Sequence, residues 1–195
     1  MAATATRVDE LLEATCRVVA REGAHGLRMS AVASEAGVSS ALLHYYFATK
    51  SELLARAFSW AEDRVQERVE AELYGLDTAA EKLERLLVLY VEDDLVFRDN
   101  WVLWNELWSS ALFDADLRPA IEAGYRGWVE RIETLLAEGR DDRSVPMSVD
   151  PAQAAARLAA TVDGLGSQVL LEMTDPTRAA GLLRRALALE LGAAA

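Results

Sequence analysis

The chain has 195 residues, of which 52% are hydrophobic, a length that suits one core or a small domain joined to a larger one. Its single cysteine, Cys16, excludes an internal disulfide and is expected to pack on an apolar helix face. No apolar run approaches the ~18 residues of a membrane span, and the N-terminus lacks the apolar segment of a signal peptide. We therefore expect a cytoplasmic protein.

The charge is distributed unevenly along the chain. The formal net charge is −12, yet residues 1–56 carry as many basic as acidic groups. The whole net negative charge therefore lies in residues 57–195, which indicates a neutral N-terminal part and an acidic body. Acidic surfaces also serve solubility, so this asymmetry alone identifies no partner.

Three helices are predicted in the first 47 residues. Apolar residues at helical spacing mark the first of them: Val8, Leu11, Leu12, Val18 and Val19. Gly23 and Gly26 are expected to end that helix. A short helix from about Met29 to Ala36 follows, and after a break at Gly37 a third runs from a serine cap, Ser39 or Ser40, to near Phe47.

Helices are also predicted throughout the rest of the chain. They include a long helix after residue 49, a tryptophan-rich helix around 98–113 and a helix that ends at Gly139, followed by a loop over 139–149. Their start and stop signals are capping boxes, a glycine and Asp-Pro pairs: Thr49–Glu52, Thr78–Glu81, Gly75, Asp150-Pro151 and Asp175-Pro176. The sequence predicts an all-α fold of about nine or ten helices, divided into domains 1–48 and 49–195.

The second and third helices, joined by a tight glycine turn, form a helix-turn-helix pattern. The third helix is the candidate for the major groove, because its first residues are small and leave serine hydroxyls and backbone N–H groups free for phosphate. The candidate DNA contacts are residues of this helix and its cap, with a lysine that follows the helix. They are Ser39, Ser40, Ala41, His44, Tyr45, Tyr46 and Lys50. The alternative is a short core helix, which suits Leu43 and Phe47 but cannot bury four consecutive residues.

Over residues 8–55 the sequence resembles the TetR/AcrR family of transcriptional regulators. The matching positions are Val32-Ala33, Ala36-Gly37-Val38-Ser39, Leu43, Phe47, Lys50 and Leu53. The resemblance implies base contacts by Ser40, Ala41 and Leu42. It implies phosphate contacts by Arg28, Ser30, His44, Tyr45, Tyr46 and Lys50. Arg28 replaces a usual threonine, and His44 and Tyr46 replace a common tyrosine and a common histidine, so the base preference does not transfer and we expect methyl contacts and DNA shape to contribute.

Two late helices have the pattern of a dimer interface, with large apolar residues among small ones. The predicted interface residues are Ile121, Tyr125, Trp128, Ile132, Leu158, Val162, Leu165 and Val169. In the resembled family, the two helices before the last form a four-helix bundle with their twofold mates. The alternative is an intramolecular core. We favour a homodimer, because a helix-turn-helix of this size normally binds two half-sites.

Aromatic residues at helical spacing in the tryptophan-rich helix suggest a ligand site. The predicted ligand-binding residues, two of them from other helices, are Trp60, Tyr90, Phe97, Trp101, Trp104 and Trp108. The aromatic residues, together with nearby carboxylates, suit a cationic or amphipathic effector. These carboxylates are Asp93, Asp94, Asp99 and Glu106. A plain core stripe explains the spacing equally well. The stretch from Trp101 to Arg126, with Trp128 and Asp163-Gly164-Leu165, resembles the C-terminal domain of BetI-type, choline-responsive members.

The leading hypothesis is a ligand-responsive repressor that binds a palindromic DNA operator as a homodimer and is released by a small molecule. The alternative is a small-molecule-binding protein that does not depend on DNA. An enzyme is disfavoured, because the chain has two histidines and no metal spacing, phosphate loop or nucleophile elbow. We expect no cofactor and no metal.

Overall fold

The computed structural model describes residues 2–192, with side chains described from residue 7 onward. That range holds α-helices, one 3₁₀ helix at Ala115–Leu117 and no strand. The helices are α1 (Ala2–Gly26), α2 (Met29–Glu35), α3 (Ser40–Tyr46), α4 (Lys50–Leu73), α5 (Ala79–Leu89), α6 (Leu95–Ala111), α7 (Arg118–Asp142), α8 (Pro151–Leu170) and α9 (Pro176–Glu190). The predicted all-α fold is confirmed.

The helices group into two compact units by their contacts, and the division into domains 1–48 and 49–195 stays a prediction. Among the described residues, the first unit comprises 2–65 and 99–124. It joins α1 to α3 with the first part of α4, most of α6 and the start of α7. The second unit comprises the described residues 66–98 and 125–192, in which α9 packs against α5 and α8.

Local side-chain chemistry sets several helix ends. The Ser39 hydroxyl accepts a hydrogen bond from the backbone N–H three residues later, at 3.2 Å, and so caps α3. Thr78 and Glu81 form the complete predicted capping box of α5. Asp150 and Asp175 cap α8 and α9 ahead of a proline in the first turn. These predicted caps are confirmed.

Two predicted helix ends differ in detail. The Thr49 hydroxyl accepts the Glu52 N–H at 3.0 Å, but the Glu52 carboxylate accepts the N–H of Ala48 at 2.8 Å instead of that of Thr49. Helix α7 continues past Gly139 to Asp142, so the loop predicted over 139–149 is present but begins only after residue 142. The chain folds back after α7, and the N–H of Val145 donates to the Gly139 carbonyl at 2.8 Å. Gly139 thus makes room for the returning chain instead of ending the helix.

Most of the predicted dimer-interface residues are buried within the single chain. The buried ones are Ile121, Trp128, Ile132, Leu158, Val162 and Leu165. Ile132 and Val162 expose none of their surface and Leu158 exposes 1%, so these three offer nothing to a second copy. For them the prediction is corrected, because the apolar stripes of α7 and α8 serve the chain's own core. Tyr125 and Val169 are half-buried, and their role stays a prediction.

The thiol of Cys16 lies between α1 and α4, as expected for a packing residue. Its Sγ is 3.7 Å from the Ala57 carbonyl oxygen. Burial, with Asp99 and Glu13 nearby, raises the pKa of this thiol to about 12, so it carries little thiolate at neutral pH. Among the described residues, no helix has the length and apolar character to cross a membrane.

Candidate functional site

The helix-turn-helix is built around a small apolar core. Gly37, with φ of +66°, lets the chain turn sharply after α2, and the Val38 N–H donates to the Ala33 carbonyl at 2.8 Å. Leu43 and Phe47 on the inner side of α3 are fully buried, as predicted. This packing fixes which face of α3 points outward.

The outward face of α3 carries most of the predicted DNA contacts. The exposed residues are Ser39, Ser40, Ala41, His44 and Tyr45, and at the start of α2 Arg28 and Ser30. Tyr45 is 81% exposed, although its ring packs edge-on against Tyr46 with centroids 5.2 Å apart. Leu42 and Tyr46 are half-buried, so they contribute partly to packing. An exposed aromatic side chain on a capped, rigid helix suits contact with a nucleic-acid backbone.

Ion pairs occupy most of the basic side chains in this part of the chain. Arg17 and Arg21 both bind the Glu35 carboxylate, at 3.0 and 3.1 Å. Arg56 stacks over the Phe47 ring, 4.7 Å from its centroid. Arg28, in contrast, makes no ion pair within the described residues and is exposed at the start of α2. It is therefore the guanidinium best placed to meet a phosphate.

Lys50, a predicted phosphate contact, has a structural partner. Its ammonium donates to the backbone carbonyl of His25 at 2.9 Å, which ties the start of α4 to the end of α1. The side chain is half-buried. Its role in DNA binding stays a prediction, and a contact to phosphate would compete with this hydrogen bond.

Four of the predicted ligand-binding aromatics lie in the first unit. Trp104 packs edge-on against Phe58 with centroids 4.8 Å apart and lies 5.5 Å from Trp108, while Trp101 is 9% exposed. Trp60 instead lies under the Arg64 guanidinium, 5.0 Å from its ring centroid, so that ring is already covered on one face.

The other two predicted ligand-binding aromatics belong to the second unit. Tyr90 contacts Phe97 with centroids 5.0 Å apart and Trp128 at 4.5 Å. All three are buried. Trp128, predicted for the dimer interface, thus completes an aromatic cluster inside the chain.

Two of the carboxylates predicted to face a cation are engaged elsewhere. Asp94 accepts the Val96 N–H at 2.8 Å and so caps α6. Glu106 accepts the Ala24 N–H at 2.7 Å.

Buried polar atoms that lack a hydrogen bond of good geometry instead belong to Glu62 and Asn100, neither of which was predicted as a ligand contact. The available signal was spacing, because Glu62 falls four residues after Phe58 on the apolar face of α4 and Asn100 falls four before Trp104.

The contact of Gly124 with Phe58 gives a stability prediction. A Cβ at Gly124 would lie 2.8 Å from Cε1 of Phe58, a ring that is 1% exposed and has little room to move. Gly124→Ala is therefore expected to lower the free energy of unfolding by about 1 to 2 kcal/mol in a urea titration. The matched control is Gly181→Ala on α9, where nothing lies within 4 Å and the better helix former should stabilise by about 0.5 to 1 kcal/mol. Equal effects at both positions would contradict the crowding.

The two short helices, their glycine turn and the exposed face of α3 define a helix-turn-helix DNA-binding protein. Residues 11–57 match the family described as bacterial regulatory proteins of the tetR family, and residues 79–192 match the C-terminal domain of BetI-type transcriptional repressors. The chain belongs to the TetR family and is a DNA-binding, ligand-responsive transcriptional regulator of the repressor type.

Individual relatives cover nearly the whole chain. The regulator PksA of Bacillus subtilis is 29% identical over 173 residues, which are 88% of this chain and 81% of PksA. A TetR-family regulator from Rhodococcus sp. has a TM-score of 0.87 and 31% identity and covers 95% of this chain and 98% of its own. A transcriptional regulator from Saccharomonospora viridis, solved in complex with choline, has a TM-score of 0.81 and 30% identity, covering 93% and 95%.

Proposed function

We propose that the protein represses transcription as a homodimer that binds a palindromic operator through α3 and is released by a cationic or amphipathic small molecule. The observation that carries the proposal is the outward face of α3, which a buried core and the Ser39 cap hold in a fixed orientation. A recognition helix must be rigid and exposed at once, and α3 meets both requirements.

The side chains of α3 divide naturally between bases and phosphates. Ser40 and Ala41 at its first turn are small enough to let the helix approach the base edges. His44 and Tyr45, one turn later, reach outward to the phosphates. Because this tip offers few hydrogen-bond donors, methyl contacts and DNA shape supply part of the sequence preference.

Dimerisation is supported by apolar side chains that a single chain leaves uncovered. The exposed ones at the end of α8 and on α9 are Leu171, Met173, Leu182 and Leu189. With the half-buried Tyr125 and Val169, they are the candidates for a surface shared by two copies. Two copies place two recognition helices about 34–36 Å apart, the spacing of successive major grooves.

An organic cation is the effector class that the aromatic residues favour, since indole rings bind cations well. The Saccharomonospora viridis relative was solved with choline, which is such a cation. Effector and operator then oppose each other by linkage, each weakening the affinity for the other by the same factor.

The salt dependence of DNA binding tests this proposal. Duplexes selected from a random library by the protein should bind with log K falling linearly against log salt. Arg28→Ala should weaken binding across all selected sequences and reduce that slope by about 1 for each phosphate that the variant no longer neutralises. Tyr45→Ala should weaken binding with a smaller change in slope, because the tyrosine hydroxyl that it removes is neutral.

The control is Arg178→Ala, which removes an exposed arginine from the first turn of α9. It should bind the selected duplexes as the parent does. A flat salt dependence of the parent would instead favour the alternative, a small-molecule-binding protein that does not depend on DNA.

A further inference from the structure

The first unit buries an amide that has no hydrogen bond of good geometry. Two polar side chains are fully buried among the described residues, Thr15 and Asn100. The Thr15 hydroxyl is satisfied, since it donates to the Leu11 carbonyl at 2.7 Å. Asn100 is 2% exposed, and neither its Nδ2 nor its Oδ1 has a hydrogen bond of good geometry within the described chain, although the Glu62 carboxyl lies near enough for a weak one. Buried polar atoms are nearly always paired, so this amide calls for a further partner.

A carboxyl group with an unpaired oxygen lies beside that amide. The Oε1 atom of Glu62 is buried and has no partner among the described residues. Burial raises the pKa of Glu62 to about 7. Weak hydrogen bonds from the side chains of Asn100 and Trp104 lower that pKa, but they do not offset the loss of water. Near neutral pH, Glu62 thus changes between a neutral and a charged form.

Aromatic rings adjoin this polar pair. Trp104, whose indole is close to the Glu62 carboxyl, packs on Phe58 and on Trp108. Trp108 is 46% exposed, so this cluster reaches the surface of the first unit. A carboxylate beside indole rings is a favourable setting for a cation, through charge and through the ring faces.

We propose that Glu62 and Asn100 bind the ammonium, amidinium or guanidinium group of an organic cation that carries N–H donors. This inference rests on the proposed function, because it assigns a binding site and a narrower chemical class to the same effector. The unpaired atoms decide the class of ligand. The Glu62 Oε1 and the Asn100 Oδ1 are acceptors, and two N–H groups of one cation satisfy both. The Asn100 Nδ2 is the donor that faces the Glu62 carboxyl, so it holds that carboxyl in place for the ligand.

This donor requirement separates the proposed ligand from a quaternary ammonium ion. Four alkyl groups on nitrogen leave no N–H, so such a cation gains from charge and ring faces but leaves the buried acceptors unpaired. An unpaired buried acceptor weakens binding substantially. The site should therefore prefer an amine to its trimethylated counterpart.

Calorimetric titration without DNA tests this preference directly. The probes are two matched pairs, ethanolamine with choline and benzylamine with benzyltrimethylammonium. We expect each primary amine to bind about tenfold or more tightly than its trimethylated partner. Glu62→Gln should weaken binding of the amines about ten- to hundredfold, and Asn100→Leu, which keeps the volume but removes both polar atoms, should abolish the preference.

Asp63→Asn is the matched control, because Asp63 is an exposed carboxylate next in sequence to Glu62. It should bind the amines within about twofold of the parent. Equal binding of amine and trimethylated probe, no binding of any probe at millimolar concentration, or unchanged binding in Glu62→Gln would overturn the inference. Amine binding that leaves DNA affinity unaffected would sustain it and contradict only the effector role in the proposed function.

Discussion

Glu62→Gln is expected to stabilise the protein by about 3 kcal/mol at about pH 8 and to leave its stability unchanged near pH 4. Burial raises the pKa of this carboxyl from 4.5 to about 7. Between those values the folded protein holds a proton that the unfolded chain releases, so stability falls as the pH rises. Below pH 4.5 both states are neutral at this position and glutamine brings no gain. Above the folded-state pKa the loss is complete, and glutamine removes it.

The measurement is the free energy of unfolding in urea, for variant and parent at matched protein concentration across this pH range. Taking the difference at each pH cancels the titration of every other group. Asp63→Asn is again the control, because Asp63 is exposed and its charge makes the smallest of the contributions to the Glu62 pKa, so its removal should change stability little at any pH. A difference between Glu62→Gln and the parent that stayed constant with pH would contradict the assigned pKa.

A carboxyl group that destabilises the fold at neutral pH is unusual in a packed interior. A single amino-acid substitution to a neutral residue would remove this cost in stability. A buried carboxyl group that is retained therefore typically serves a site that needs its charge. The same reasoning applies to Asn100, since leucine would fill a similar volume without unpaired atoms. Glu62→Gln is therefore expected to raise stability and to weaken amine binding, because both effects follow from removing the same buried carboxylate.

The sequence predicted best those features that depend on neighbouring residues. The Ser39 cap, the Thr78 and Glu81 box and the Asp-Pro starts of α8 and α9 are all local, and each was found where expected. The helix-turn-helix was predictable for the same reason. Its turn needs a glycine at φ of +66°, and its core pair, Leu43 and Phe47, is four residues apart.

Features that depend on tertiary neighbours were not predictable from spacing. An apolar stripe looks the same whether it meets the chain's own core or a second copy, which is why Ile132, Leu158 and Val162 were misassigned to the dimer interface. Lys50 looked free for DNA because the His25 carbonyl that it binds is 25 residues away. Spacing alone places Glu62 and Asn100 on helix faces that carry aromatic residues, but only the fold shows that the two side chains meet and that the Glu62 Oε1 has no hydrogen bond of good geometry.

Helix α6 connects the proposed ligand site to the DNA-binding helices within the first unit. Asn100 and Trp104 lie one turn apart on one face of α6, whereas Glu106 projects about 200° away from Trp104. From that opposite face Glu106 accepts the N–H of Ala24 near the end of α1. Gly23, with φ of 75° and ψ of 157°, interrupts the helical geometry of α1 there. Glu106 supplies an acceptor for the N–H that follows this interruption.

Glu106→Ala is expected to leave the Ala24 N–H without that acceptor in a position where Ala24 is 1% exposed. The loss of a charge-assisted hydrogen bond costs about 1.5 to 3 kcal/mol of local stability, so exchange of the Ala24 amide hydrogen should accelerate about ten- to hundredfold. The His25 carbonyl that holds Lys50 is the next residue, so operator affinity should also fall. Glu106→Gln is the control, because its amide oxygen can still accept the bond and should retain most of the protection. Equally slow exchange of the Ala24 amide in Glu106→Ala and in the parent would show that α6 does not hold the end of α1. A movement of α6 on ligand binding could then not reach the DNA-binding helices through this contact.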